Sequence, residues 1–90
     1  MNETVHVLIS GHVQGVFFRI FVFGKANNLN LRGWVKNTQD DRVEAIFQGP
    51  EEKIQQMISW CHQGSPSSKV EKIKVSKLKQ EQVFSNFEIR

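Results

Sequence analysis

The architecture follows from one stretch near the start of the chain, Val5-His6-Val7-Leu8-Ile9-Ser10-Gly11-His12-Val13-Gln14-Gly15-Val16-Phe17-Phe18-Arg19. Apolar side chains recur at every second position at its beginning, which predicts a strand with one face in the core. Further on, apolar side chains recur every three or four residues, which predicts a helix with one buried face. The residues at this helical spacing are Phe18, Val22, Ala26 and Leu29. The stretch therefore predicts a strand, a glycine-containing loop and a helix.

The middle of the chain predicts a β-hairpin. Residues 31–37 and 42–48 are short runs rich in Trp, Val, Ile and Phe, and the polar tetrapeptide Thr38-Gln39-Asp40-Asp41 joins them. Gly49-Pro50 ends the second run, and a proline followed by two glutamates is typical of the start of a helix. The buried face of that helix is expected at Ile54, Met57, Ile58 and Cys61.

The last third predicts one more strand. Residues 64–68 break the second helix, Ile73 and Val75 then alternate with lysines, and a short segment around residues 87–90 ends the chain. The resulting order of elements predicts an α+β fold, the ferredoxin-like βαββαβ sandwich, in which two helices cover one face of an antiparallel sheet. Ninety residues suffice for a single domain over residues 1–90.

Composition narrows the class of protein. The chain is 39% hydrophobic and 23% charged, which is typical of a globular module that folds alone. Its apolar runs fall far short of the roughly 20 residues that cross a bilayer, so we expect no contact with a membrane. The first residues lack the pattern of a secretion signal, and a cytoplasmic location is therefore expected. The single cysteine, Cys61, excludes an intrachain disulfide and is expected to be buried.

Positive charge points to anionic partners. The formal net charge is +3, and five lysines fall between residues 69 and 79. One interpretation of this run is a nucleic-acid surface, and the other is the solvated face of a strand. Because the chain has no tyrosine and no aromatic RNA-recognition motif, we expect no nucleic acid as a partner.

The loop between the first strand and the first helix is the candidate site. The first N–H groups of a helix lack intrahelical partners and carry the positive end of its dipole, so a loop that curls there is suited to an anion. Gly15 allows close approach of the backbone, and Arg19 offers a planar fork of donors for two oxygens. From these residues alone, either an anion site or a plain glycine loop with a solvated arginine is possible.

Two motifs resemble those of a known family. Residues 9–19, quoted above, resemble the first acylphosphatase signature, and Gly33-Trp34-Val35-Lys36-Asn37 followed by Val43 and Gly49 resembles the second. The resemblance extends over the whole chain, through residues 64–66 to residues 87–90. It implies a metal-independent and cofactor-independent enzyme that hydrolyses the carboxyl–phosphate bond of a small acyl phosphate by direct attack of water. We expect such a protein to be a monomer.

The resemblance also assigns roles to residues. It implies that Arg19 binds the phosphoryl oxygens and that Asn37 orients the water. The loop would hold inorganic phosphate or another anion through backbone N–H groups of the residues Gln14, Gly15, Val16, Phe17 and Phe18, with Arg19 closing the site. No residue is assigned as the acceptor of the proton from water. Without the resemblance, the residues favour the interpretation of Asn37 as a residue that closes a hairpin turn.

Three further features bear on these roles. His12 lies beside the loop and is a candidate for extra positive charge or an acid. Four phenylalanines crowd the first helix and cannot all face the core, so an apolar rim near the site is expected. Asp41 stands where the second signature has glycine, so a strained hairpin turn is expected there. An alternative for the whole protein is a phosphate sensor that has lost turnover, for which Asp41 is the only support.

Overall fold

A computed structural model describes residues 2–15, 17–79 and 82–90. It contains β1 (Asn2–His12), α1 (Phe18–Asn28), β2 (Arg32–Asn37), β3 (Val43–Pro50), α2 (Glu51–Gln63), β4 (Lys69–Lys77) and β5 (Phe87–Ile89). The first six elements follow the predicted order, and the two helices pack on the sheet as predicted. The α+β, ferredoxin-like fold expected from the sequence is confirmed.

The sheet has five strands in the order β4-β1-β3-β2-β5. The pairs β1–β3, β1–β4 and β2–β3 are antiparallel, as predicted, whereas β5 lies parallel to β2. The sheet is therefore mixed rather than purely antiparallel. After β4 the chain passes from one edge of the sheet to the other and enters β5 from the end at which β2 begins. The three residues of β5 are too few to show a periodicity, so the sequence did not predict this pairing.

One cluster of buried side chains fills the space between the helices and the sheet. It contains the predicted faces of β1 and α1, and it also contains Ile54, Met57 and Cys61 of α2. Ile58 is only partly buried at its margin. Burial raises the pKa of the Cys61 thiol to about 12, so Cys61 is an inert core residue, as expected.

The end of α1 fixes the direction in which β2 leaves the helix. Asn30 has a left-handed backbone with φ of 58°. The N–H of Asn30 donates to the carbonyl of Asn27 at 3.0 Å, and the N–H of Leu31 donates to that of Ala26 at 2.8 Å. These two bonds form a Schellman motif, in which asparagine is the usual substitute for glycine. They satisfy carbonyls that the helix leaves unpaired and direct the chain into β2.

Candidate active site

The register of the sheet brings the end of β2 beside the loop that follows β1. Val43, at the start of β3, pairs with Asn37 on one side and with Ile9 on the other. The loop of residues 13–17 therefore leaves β1 close to the last residue of β2. We call this the site end of the sheet, and the end at which β1 and β2 begin is the far end.

A hollow of about 260 Å³ lies at the site end. The residues that line it are Val13, Gly15, Phe17, Phe18, Arg19, Ile20 and Asn37. Arg19 and Asn37, which are 18 positions apart in the chain, thus meet in one hollow. Of the expected phosphate loop, Gln14 does not line the hollow, and Val16 lies outside the described residues.

Two polar groups in this hollow have no partner in the described chain. Asn37 Oδ1 is buried and accepts no hydrogen bond from any described residue. Arg19 is half-buried in the first turn of α1, and no described residue forms a hydrogen bond or an ion pair with its guanidinium group. A buried polar atom without a partner costs about 1–3 kcal/mol. The cost at Asn37 Oδ1 indicates that this oxygen serves something other than the stability of the fold. The half-buried guanidinium group of Arg19 carries no such cost, because solvent hydrates it.

The start of α1 also lacks a side-chain cap. Its N-cap is Phe17, which has no side-chain oxygen, and the first turn contains no acidic residue. The N–H groups of this turn are therefore not satisfied by a cap, and no carboxylate offsets the positive end of the helix dipole. This is the arrangement that binds anions at helix N-termini.

Among the described residues of the loop, two have a left-handed backbone. Gly15 has φ of +72°, and a side chain added there would meet no atom within 4 Å. Glycine is therefore needed at position 15 for its backbone conformation and not for lack of space. Phe17 has φ of 59° and ψ of 20°, a conformation that costs a bulky residue about 1–2 kcal/mol.

Gln14 ties the loop to the β2–β3 hairpin. Its side-chain Nε2 donates to the carbonyl of Thr38 at 2.9 Å and to the carbonyl of Arg42 at 2.7 Å. The sequence assigned Gln14 only a backbone role, and its side chain was missed. The side-chain amide of Gln14, a donor of two hydrogen bonds next to a loop glycine, indicates such a role in the sequence. Its acceptors, however, lie 24 and 28 positions away in the chain. Only the register of the sheet brings these carbonyls within reach.

Hydrogen bonds within the turn stabilise the β2–β3 hairpin. The N–H of Thr38 donates to the carbonyl of Arg42 at 2.8 Å, and the N–H of Arg42 donates to Thr38 Oγ1 at 2.9 Å. The hydrogen bonds from Arg42 and then from Thr38 lower the pKa of Asp40 to about 2. Asp41 has φ of 66°, so the left-handed turn expected there is confirmed. The turn keeps this conformation although it lacks glycine.

Other candidates lie away from the hollow. His12 is exposed and does not line it. The lysines of β4 are exposed along an edge strand, in agreement with the solvated-strand interpretation. Within residues 2–15, 17–79 and 82–90, no three His, Cys, Asp or Glu side chains come together as metal ligands. No helix in this same part of the chain is long and apolar enough to cross a membrane.

The structure is a ferredoxin-like sandwich with a hollow between its first strand and first helix, lined by Arg19 and Asn37. A family model described as Acylphosphatase matches residues 5–89. The acylphosphatase of Haloquadratum walsbyi is 48% identical over 79 residues, which are 84% of this chain and 85% of that protein. The acylphosphatase of Syntrophobacter fumaroxidans is 44% identical over 88 residues, which are 98% of this chain and 91% of that protein.

The solved structures agree with the sequence comparison. The crystal structure of acylphosphatase from Bacillus subtilis has a TM-score of 0.95 and 39% identity, and it covers 100% of this chain and 99% of that one. The chain therefore belongs to the acylphosphatase family and is a hydrolase.

Proposed function

We propose that the hollow at the site end binds the phosphoryl group of an acyl phosphate and hydrolyses its carboxyl–phosphate bond. The observation that carries this proposal is the meeting of Arg19 and the unpartnered Asn37 Oδ1 in one hollow, at the uncapped start of α1. A guanidinium group and free backbone N–H groups suit the non-bridging oxygens of a phosphoryl group. The side-chain amide supplies the acceptor that a water molecule needs.

In this mechanism Arg19 and the loop of residues 14–18 hold the phosphoryl group, with Gly15 shaping the loop. The charge that develops on the phosphoryl oxygens is stabilised by donors that are already in place, which is the main source of catalysis in such reactions. Asn37 Oδ1 accepts a hydrogen bond from the attacking water and thereby directs an oxygen lone pair at phosphorus. The phosphorus–oxygen bond to the acyl carboxylate breaks as the new bond forms.

Departure of the acyl carboxylate from phosphorus needs little catalysis. A carboxylate is a good leaving group, so the reaction requires neither a general acid nor a metal ion at that oxygen. The residues that line the hollow include no carboxylate and no histidine among those the structure describes. We therefore assign the proton from water to a phosphoryl oxygen of the substrate itself. The products are a carboxylate and inorganic phosphate.

We also propose the substrate class, the oligomeric state and the location of the enzyme. The substrate is a small molecule, the working unit is a monomer of one domain over residues 1–90, and the location is the cytoplasm. No resident cofactor takes part. The sensor alternative rested on Asp41, and the left-handed turn that Asp41 adopts removes that support.

Release of phosphate from benzoyl phosphate in the presence of EDTA tests the proposal. The folded protein is expected to release phosphate well above the spontaneous rate, with no requirement for added metal. Arg19→Ala is the matched control, because it removes the phosphate-binding group from a half-buried surface position. A folded wild-type protein with no rate above the spontaneous one would overturn the proposal.

A further inference from the structure

We propose that Phe17 and Ile20 form an apolar subsite for the acyl group, so that the enzyme prefers acyl phosphates with an aromatic or branched acyl group over small or charged ones. This inference rests on the proposed function and adds to it the class of substrate. It is carried by the exposure, the backbone conformation and the position of these two side chains.

Phe17 destabilises the folded state in two ways. Its side chain is 70% exposed, and its backbone is left-handed. Exposure forgoes the stabilisation that burial of a phenylalanine supplies, and the left-handed conformation is one that glycine would adopt without cost. Strained residues of this kind cluster at sites that bind ligands. Nothing in the packing of the described residues requires a phenylalanine at this position.

Ile20 adds to the same surface. It lies in the first turn of α1, directly after the N-cap region that contains Phe17. Ile20 is 56% exposed and lines the same hollow as Phe17, Arg19 and Asn37. The exposed apolar surface continues along α1 to Phe21, which is 44% exposed. A single exposed apolar side chain is ordinary, but an apolar run that begins at the rim of a polar hollow is not.

The hollow therefore has two chemically different parts. Arg19 and Asn37 supply the polar part, and Phe17 and Ile20 supply the apolar rim. An acyl phosphate has the same division, because its phosphoryl group is anionic while its acyl group extends away from phosphorus. With the phosphoryl group on Arg19, an apolar acyl group covers Phe17 and Ile20 and removes apolar surface from water.

Charged acyl groups are disfavoured by the same surface. Arg19 is the only charged side chain among the described residues that line the hollow, and it is engaged with the phosphoryl group in the proposed mechanism. A second carboxylate on the acyl group would lose water against the apolar rim without gaining a partner there. The subsite thus selects by the polarity of the acyl group.

The test compares kcat/KM for benzoyl phosphate, acetyl phosphate and succinyl phosphate. The wild-type protein should favour benzoyl phosphate. In the double variant Phe17→Ala/Ile20→Ala, the ratio of the benzoyl to the acetyl kcat/KM should fall about 10-fold, the lower end of what small apolar contacts contribute to discrimination. A merely structural defect lowers both values together and leaves the ratio unchanged, so an unchanged ratio would overturn the proposal.

Two further variants make the outcome decisive. Val83→Ala truncates a side chain that is 76% exposed at the far end, and it should leave the ratio as in the wild type. Phe17→Gly removes the ring and the left-handed strain together, so the ratio should fall while the melting temperature stays or rises. A wild-type protein that hydrolyses all three substrates without preferring benzoyl phosphate overturns the subsite alone. A protein that hydrolyses none of them overturns the proposed function.

Discussion

The two ends of the sheet each carry a hollow, and they differ in what their polar groups contact. The far-end hollow is the larger, about 450 Å³ against about 260 Å³. At the far end, Gln48 donates to Thr4 Oγ1 and to the carbonyl of Gln82, both at 2.9 Å, and accepts from the N–H of Phe84 at 3.0 Å. At the site end, Asn37 Oδ1 has no partner among the described residues. Unmet hydrogen bonds, and not the size of a hollow, mark the candidate site.

Positive φ values do not separate the two ends. Gly15, Phe17 and Asp41 lie in the two loops of the site end, but Asn30, which has φ of 58°, lines the far-end hollow. Asn30 belongs to the Schellman motif that ends α1. The contrast between the two ends therefore rests on the hydrogen bonding of their polar groups.

The largest expected effect comes from removing the unpartnered groups at the site end. Arg19→Ala should lower kcat for benzoyl phosphate by about 10²- to 10³-fold, as loss of one donor to a developing charge does. Asn37→Ala should lower it by about 10²-fold, because the attacking water loses the acceptor that positions it. Neither side chain forms a hydrogen bond with another described side chain, so the melting temperature of Arg19→Ala should change little. That of Asn37→Ala should stay or rise, because the variant removes the unpartnered oxygen. Steady-state kinetics and thermal unfolding of both variants check this prediction. Wild-type turnover by a folded variant would remove that residue from the mechanism.

A substitution at the far end should lower stability and not kcat. Gln48→Ala breaks three hydrogen bonds and leaves the buried Thr4 hydroxyl and the N–H of Phe84 without these partners, so we expect a loss of about 2 kcal/mol in the free energy of unfolding. For a chain of this size, that loss lowers the melting temperature by about 8–16 °C. The kcat of the folded variant should stay within about twofold of the wild type. A large loss of kcat with unchanged stability would break the comparison between the ends.

Gln14 tests whether the site end is held together by its own bonds. Gln14→Leu removes the two donors that join the loop to the hairpin and keeps the size of the side chain. Because Arg19 and Asn37 lie on the two parts that Gln14 joins, kcat/KM should fall about 10-fold, the effect of a small misplacement of binding groups. KM for benzoyl phosphate should rise as well. Unchanged kinetics in the folded variant would show that the tie has no role in positioning.

The smallest expected effect concerns the turn. Asp41→Gly relieves the left-handed backbone at φ of 66° and should raise the free energy of unfolding by about 0.5 kcal/mol, with kcat unchanged. Asp41→Ala is the control and should lower it, because alanine lacks the side-chain hydrogen bonding that helps aspartate in this conformation. Urea unfolding of the three proteins gives the comparison. A stability order with alanine above glycine would contradict the strain.

Local patterns predicted most of the fold, because the period of apolar residues fixes strands and helices without knowledge of distant contacts. The left-handed turn at Asp41 was expected from the resemblance, because the second signature has glycine at this position. The parallel pairing of β5 and the bonds of Gln14 were not predictable, because both join residues far apart in the chain. The roles of Arg19 and Asn37 came from the resemblance, and their meeting in one hollow required the register of the sheet.

A titration of the isotope-labelled protein with inorganic phosphate, followed by two-dimensional amide NMR, compares the two ends most directly. We predict that the NMR signals of the backbone amides of residues 14–19 and of the side-chain amide of Asn37 shift to saturation, while those of Arg32 and Gln48 at the far end do not shift. Shifts at Arg32 and Gln48, with residues 14–19 and Asn37 unmoved, would place the anion at the wrong end and contradict the account.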